Sequence, residues 1–437
     1  MAAEKARLAL TNILHSKRYL TILATAIACF LVFTWQAPLV ADNVPRLDKY
    51  FKPTSISGFQ RRAYKLSDER ARPTCVRQRF HESRYKVLEE NPRAVFIAIN
   101  FYQNQEVIPT FFQEFPGIVE RLGRKRVYVS IYENGSEDKS QQLLRLFDDM
   151  LTYMGVPHRV ITRGRDEYSH KENGHRINVL AAIRNAAMEP LYSGEAARQV
   201  QGGMFDDVLW INDVYHCQAD ILEVLYQKRL QGANQACAVD WAGWGDHVIY
   251  DRWVLRTITG KVFYIWEELV RWMYPTDDDP REPDGRGPLP RLLPYDEADR
   301  RRFEAHLPIQ VFSCWNGATA IDASAFLEPN NLRFRIAKAD LDEGGRPKEV
   351  TEMVSECFLS SVDLWKMGKG KVALAPRASV AYNTWNYNTH RKDQLPLPSN
   401  SSDEVITNWV RDPPETVAFQ DNAAWNAPER WAPWDEQ

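Results

Sequence analysis

The most restrictive feature of the sequence is a series of short apolar runs with no polar face, separated by stretches of helical periodicity. The runs are AVFIAINF (94–101), RVYVSIY (126–132), DDVLWIND (206–213), ACAVDW (236–241), a segment near Gln310 to Ser313, and KVALAPRASVAY (371–382). A strand that is apolar on both faces has to be covered on both, as in a parallel sheet between helices. After the second run, Leu143, Leu144, Phe147, Met150, Leu151 and Met154 recur at three- and four-residue spacing, the stripe of a core-facing helix. Asp138 and Gln141 resemble a capping box at its start, and Gly155 suits its stop. Further helices are predicted over 107–122, over 176–188 with Pro190 as terminator, and over 219–229. This alternation predicts an α/β sheet with short connections.

At 437 residues the chain is long enough for one large α/β domain with appendages. Its formal charge of −3 provides no basic stripe, so no nucleic-acid partner is expected. Lys5, Arg7, Lys17 and Arg18 precede an uncharged run, Tyr19 to Trp35. As a helix that run measures about 26 Å, at the short end of what spans a bilayer. A cleavable signal peptide is the competing reading, but the run is longer than a usual signal core and Thr34-Trp35-Gln36 is a poor cleavage site. Basic residues on its N-terminal side put the tail in the cytosol and the body in the lumen.

The organisation expected is therefore a cytosolic tail (1–18), a single-pass type II signal anchor (19–35), a stem (36–92), a catalytic α/β domain (93–395) and a C-terminal tail (396–437). A Golgi or other secretory-pathway membrane follows from it. Residues 275–294, rich in Pro, Gly and Asp, are expected to form a mobile surface loop. With Cys29 in the span, Cys75, Cys217, Cys237, Cys314 and Cys357 allow at most two disulfides, with the pairing left open. Asn134 and Asn400 stand in glycosylation sequons, of which only Asn400 is expected to carry a glycan, because Asn134 falls in a predicted binding loop.

Candidate chemistry gathers where strands end. VLWINDVYHC (208–217) delivers Asn212 and Asp213 at the C-terminal end of a buried strand, where α/β sheets bind ligands and where a carboxylate can hold Mg²⁺ or Mn²⁺ against a diphosphate. The polar turn Glu133-Asn134-Gly135-Ser136 joins a strand to a helix N-terminus, a natural nucleotide site. Arg184, inside a helix, suits bidentate contact with phosphate. Asp240-Trp241 and Asp251 pair carboxylates with an aromatic plane, which matches a sugar's polar rim and apolar face. Each has an ordinary structural reading as well: a turn residue, a helix cap, a paired arginine, a core tryptophan.

The ordered succession FIAINF, VSIYENGSED, LAAIRNAA, VLWINDV, CAVDW, YDRW, FSCWNGATAIDASAF and SECFLSSVDLW, over roughly residues 93–390, resembles the fungal cryptococcal α-1,3-mannosyltransferase family, which includes capsule-associated proteins. The resemblance implies a GT-A-like, Rossmann-type nucleotide-binding sheet flanked by helices. It implies transfer of mannose from GDP-mannose to a mannoside or polysaccharide acceptor, forming an α-1,3 linkage with retention, with a divalent cation (Mn²⁺ or Mg²⁺) as cofactor. Asp213 then corresponds to the metal motif, although only one Asp stands where two are usual, and His390 is a candidate second ligand. Asn100, Glu133, Arg184 and Asn212 fall on the donor side. Asp240, Trp241, Trp315 and Asn316 fall on the acceptor side, and Glu356 and Asp251 on the catalytic side. The incomplete metal motif keeps open an alternative: a catalytically silent lumenal glycan-binding or assembly factor on the same fold.

Overall fold

The computed structural model describes residues 53–75, 83–163, 176–242, 248–282, 285–338, 341–345, 354–390, 401–419 and 429–436. The expected cytosolic tail and anchor, residues 36–52 and 76–82 of the expected stem, and Asn400 lie outside them. No helix among the described residues is long and apolar enough to cross a membrane.

The strands are β1 (Val95–Phe101), β2 (Val127–Asn134), β3 (His158–Arg163), β4 (Asp207–Ile211), β5 (Gln235–Trp241), β6 (Arg256–Thr257), β7 (Ile309–Ser313), β8 (Ala318–Asp322) and β9 (Val372–Ala381). They form one nine-stranded sheet in the order β3-β2-β1-β4-β8-β5-β9-β7-β6. Strands β3, β2, β1 and β4 run parallel, and β5 and β9 run parallel to each other. The strand β8 is inserted antiparallel between β4 and β5. The sheet is thus mixed but mostly parallel.

Its strands read as continuous apolar runs because alternate residues feed two cores. Val95, Ile97 and Ile99 of β1 enter one core with Phe111, Phe115, Leu143, Phe147 and Ile221, while Phe96 and Ala98 enter the other with Ile183, Met188, Phe358 and Val362. The helices Ile108–Leu122, Ser140–Met154 and Gln218–Gln231 supply the first layer, and Arg176–Tyr192 and Glu356–Lys366 the second. Each fully buried large aliphatic or aromatic side chain contributes about 1.5–3 kcal/mol.

Several expectations need correction. The helix from Arg176 runs through Pro190 to Tyr192, so Pro190 removes one i→i−4 hydrogen bond without stopping the last turn. The helix Ser140–Met154 has Lys139 as N-cap with no side-chain cap bond; Asp138 Oδ1 accepts the Ser140 N–H at 2.9 Å and Gln141 turns to Ser136 O, so no capping box forms. The segment 275–294 is anchored rather than a bare surface loop: Leu292 and Leu293 are buried, and Gly287 N–H donates to Trp272 O at 3.0 Å.

From Ser55 onward, residues expected to be stem belong to the body. The helix Ile56–Ser67 buries Phe59 and Ala63 in the first core. A disulfide joins Cys75 to Cys217, and another joins Cys237 to Cys314; Cys357 is the buried free thiol. Arg84 Nη2 lies 2.6 Å from both Glu223 Oε1 and Glu404 Oε2, tying the C-terminal segment to the same region. Strands β10 (Thr416–Phe419) and β11 (Arg430–Pro433) pair separately.

Candidate active site

Because β1, β2, β4, β5 and β9 point the same way, the residues that follow them emerge at one edge of the sheet. The turn before β8 joins them there, since Ala318 pairs with Ile211 at the end of β4 and Gly317 O accepts the Asn212 N–H at 2.8 Å. A cavity of about 370 Å³ opens at this edge, lined by Arg184, Asn212, Asp251, Trp315 and Glu356 among the residues singled out from sequence.

Arg184 is the best-constrained group in it. Its guanidinium carbon sits 4.8 Å from the Trp210 ring centroid, 4.5 Å from that of Trp315 and 5.8 Å from that of Phe334. Nε donates to Glu356 Oε1 at 2.8 Å, and Nη1 is buried without a hydrogen-bond partner. Burial works against this charge, yet the neighbouring Cys357 and Glu356 outweigh it and hold the guanidinium above its ordinary value. Glu356 stands at the first position of its helix, with Ser355 as N-cap. It is therefore paired with Arg184 rather than an unengaged acid.

Asn212 is gripped from both sides: its Oδ1 accepts from Trp315 Nε1 at 3.1 Å, and its Nδ2 donates to the Tyr382 hydroxyl at 3.1 Å. Asp213 Oδ2 accepts from Asn104 Nδ2 at 2.7 Å, and burial pushes its carboxyl up. The loop carrying Asn104 leans on the loop after β2, since Gln103 N–H donates to Ser136 Oγ at 2.8 Å and Asn104 N–H to Ser140 Oγ at 2.8 Å. Glu133, next to last in β2, is fully buried, with Oε1 accepting the Ser136 N–H, Oε2 without a partner, and its carboxyl raised by burial. Asp213 and Glu133 are thus connected through one short chain of hydrogen bonds. Asn100 lies in β1 opposite Tyr132, partly buried. Asn134 is also buried, which fits its expected exclusion from glycan attachment.

Asp240 is completely buried: Oδ1 accepts from Asn316 Nδ2 at 2.8 Å and from the Asp251 N–H at 3.2 Å, while Oδ2 has no partner. Burial, reinforced by the charge of Asp251, pushes it well up. Burial likewise pushes Asp251 up to about 6. Asn316 can make its contact because it adopts φ +46° immediately before Gly317 at φ +77°.

The structure moves two expected site residues into the core. Trp241 is 1% exposed, donates Nε1 to Ser379 Oγ at 3.0 Å and stacks on the His390 ring with centroids 5.1 Å apart. His390 therefore packs beneath the end of β5 instead of facing Asp213, and neither residue lines the cavity. Trp315 lines it but is 1% exposed, so it positions Asn212 rather than presenting a ring face to sugar.

Among the described residues, the cluster of three possible metal-ligating groups is Cys75, Glu114 and Cys217, whose two cysteines form the disulfide; it includes neither Asp213 nor His390. Asp213 is not among the residues lining the cavity; its lone carboxylate would suit a hard cation only together with substrate phosphates, since Mg²⁺ is commonly held by one or two carboxylates plus those phosphates. Sequence reasoning missed Arg176, Tyr250, Arg252, Arg286 and Tyr382, which complete the cavity from separate segments. Four arginines in all face it, a strongly cationic wall for an anionic group.

Residues 94–363 match the family model described as Cryptococcal mannosyltransferase 1. The alpha-1,3-mannosyltransferase CMT1 of Cryptococcus neoformans var. neoformans serotype D is 32% identical over 307 residues, covering 69% of this chain and 60% of that relative. The chain thus spans less than two thirds of that relative's length. Among solved structures, a mannosyltransferase from Pyrobaculum calidifontis in complex with GDP-Man and Mn²⁺ aligns over 75% of this chain and 64% of its own, at 10% identity and TM-score 0.33. A glucosyl-3-phosphoglycerate synthase from Mycobacterium tuberculosis aligns over 71% and 78%, at 10% identity and TM-score 0.32. On the match to the family model and to its relative, this chain belongs to the Cryptococcal mannosyltransferase 1 family.

Proposed function

We propose that the chain is a glycosyltransferase of GT-A type that transfers mannose from GDP-mannose to a mannose hydroxyl, forming an α-1,3 linkage with retention. The observation that carries this reading is the cavity at the strand ends, where a caged Arg184 and an acid at Asp251 share one space. Family membership supports the choice of sugar. Arg184, with Arg176, Arg252 and Arg286, suits the leaving diphosphate, whose charge a preorganised cation stabilises as it develops. Asp213 would hold a divalent cation, which supplies further charge neutralisation on the diphosphate. Glu133 and Asn100, which do not line the cavity, would serve the nucleotide side through the loops after β1 and β2. Incubating the full chain with a panel of nucleotide sugars and mannosides tests the reading; no GDP release or mannosyl product above control, with GDP-mannose and Mn²⁺ present, overturns it.

Asp213→Ala is expected to lower kcat by about 10²-fold and to abolish stimulation by Mn²⁺. Full, metal-stimulated activity in that variant would remove Asp213 from the site. Asp251 gives a second expectation: kcat/KM rises through about pH 6 as the carboxyl ionises, and Asp251→Asn removes that inflection. Its raised pKa also favours folding at low pH, a contribution lost as pH rises through about 6, so the same variant flattens stability across that interval.

The single carboxylate at Asn212-Asp213 favours a second reading, a silent glycan-binding factor on the same fold. Thermal stabilisation by GDP with Mn²⁺ separates the two, since a silent factor has no need to bind donor. Placement in a secretory-pathway membrane, with the body in the lumen and the run 19–35 as anchor, is part of the same proposal. Two disulfides in the body support an oxidising compartment.

A further inference from the structure

With Trp241 and Trp315 both 1% exposed, neither ring face is open to a sugar, so the acceptor must find its apolar contact elsewhere. Tyr250 lines the cavity and is 52% exposed. Its ring lies 4.4 Å from that of Tyr382, inclined at 41°. Its backbone is fixed at several points: Tyr250 N–H donates to Asp240 O at 2.7 Å, Ile249 N–H to the Tyr264 hydroxyl at 2.8 Å, and Arg252 N–H to Tyr250 O at 3.0 Å. An exposed ring on so constrained a backbone has little main-chain entropy left to lose when a ligand settles on it.

We propose that Tyr250 is the platform for the acceptor's sugar ring, with Asp251 receiving a hydroxyl from its rim. This rests on reading the chain as a mannosyltransferase. A pyranose has an apolar C–H face and a polar rim, and an aromatic face beside a carboxylate complements both. The charged groups of the cavity suit two different substrate groups. The arginine wall suits the donor's diphosphate, whereas Asp251 repels phosphate and accepts hydrogen bonds from a neutral hydroxyl. The buried Asp240, which accepts the Asp251 N–H and whose backbone carbonyl accepts the Tyr250 N–H, fixes the position of both residues.

The test compares Tyr250→Ala and Tyr250→Phe in the full chain, with acceptor KM, donor KM and GDP affinity measured separately. Tyr250→Ala is expected to raise the KM for a mannoside acceptor about tenfold, equivalent to ~1.4 kcal/mol, with donor KM and GDP affinity within about twofold. Tyr250→Phe, which keeps the ring, should behave like the parent. Three results would each overturn the platform: an unchanged acceptor KM in Tyr250→Ala, a loss of GDP affinity in its place (the ring would then stack on the nucleotide base), or a Phe variant as impaired as Ala. Mannoside binding by saturation-transfer NMR needs no turnover. A parent chain that binds mannoside but fails to transfer mannose overturns the enzymatic reading, and Tyr250→Ala binding mannoside as well as the parent overturns only the platform.

Discussion

Arg184→Ala is expected to lower kcat by about 10²–10³-fold, the range seen when a preorganised charge-stabilising group is removed. It should also destabilise the body by roughly 3–5 kcal/mol, because Glu356, 2% exposed, then keeps a carboxylate with its guanidinium partner gone. The two effects have different origins and can be separated. A double variant, Arg184→Met with Glu356→Gln, removes both charges and fills the cage between Trp210, Trp315 and Phe334 with an adaptable apolar chain. Thermal unfolding should recover most of the lost stability while transfer stays near the level of the single variant. Arg184→Lys should remain poor, since an ammonium lacks the flat face that stacks on the rings. Unimpaired turnover in Arg184→Ala would remove the guanidinium from the reaction. A double variant as unstable as the single one would show that the ring cage, not the ion pair, dominates the energetics.

The second large effect is expected at Gly317. A Cβ built there would lie 2.6 Å from Val380 Cγ2, 3.3 Å from Val214 Cγ1 and 3.4 Å from Asp240 Cβ, and the backbone is already at φ +77°. Left-handed strain and overpacking together put the cost of Gly317→Ala at about 2–5 kcal/mol. Gly317 O also accepts the Asn212 N–H, so the same change disturbs the donor side of the site. Gly368→Ala is the control: its φ is +70°, but nothing lies within 4 Å of the added carbon, so only the backbone term, about 1 kcal/mol, remains. Equal losses in the two variants, measured by chemical denaturation, would show that crowding at Gly317 is relieved by adjustment of Val380.

The central strands were legible because burial on both faces leaves an unmistakable composition; β1, β4 and β9 fall within the predicted runs, β2 continues two residues past its run to Asn134, and β5 starts one residue before its run, at Gln235. Strands β3, β6 and β8 of the same sheet were not, β6 having only two residues. The sequence of β3, HRVITR, has only Val160 and Ile161 between pairs of polar residues and sits at the sheet edge, so its polar residues hide it. The five residues of β8 follow directly on a turn and resemble the end of a loop. At the site, strand-end residues such as Asn212 could be placed because strand direction dictates where they emerge. Trp241 and His390 could not, because aromatic character does not state whether a ring faces a ligand or another ring. Arg176, Arg252 and Arg286 escaped notice for a different reason. They lie on three unconnected segments, and only tertiary folding turns scattered surface-type residues into a wall.

The clasp around Arg84 has a consequence for how the molecule is made. One guanidinium near the start of the body waits for Glu223 in the middle and for Glu404 close to the far end. A nascent chain carries the first of these groups long before it acquires the last. The full clasp therefore closes only once Glu404 has been made; loss of Arg84 strips two buried carboxylates of their shared guanidinium, whereas loss of Glu404 leaves Arg84 with Glu223 alone.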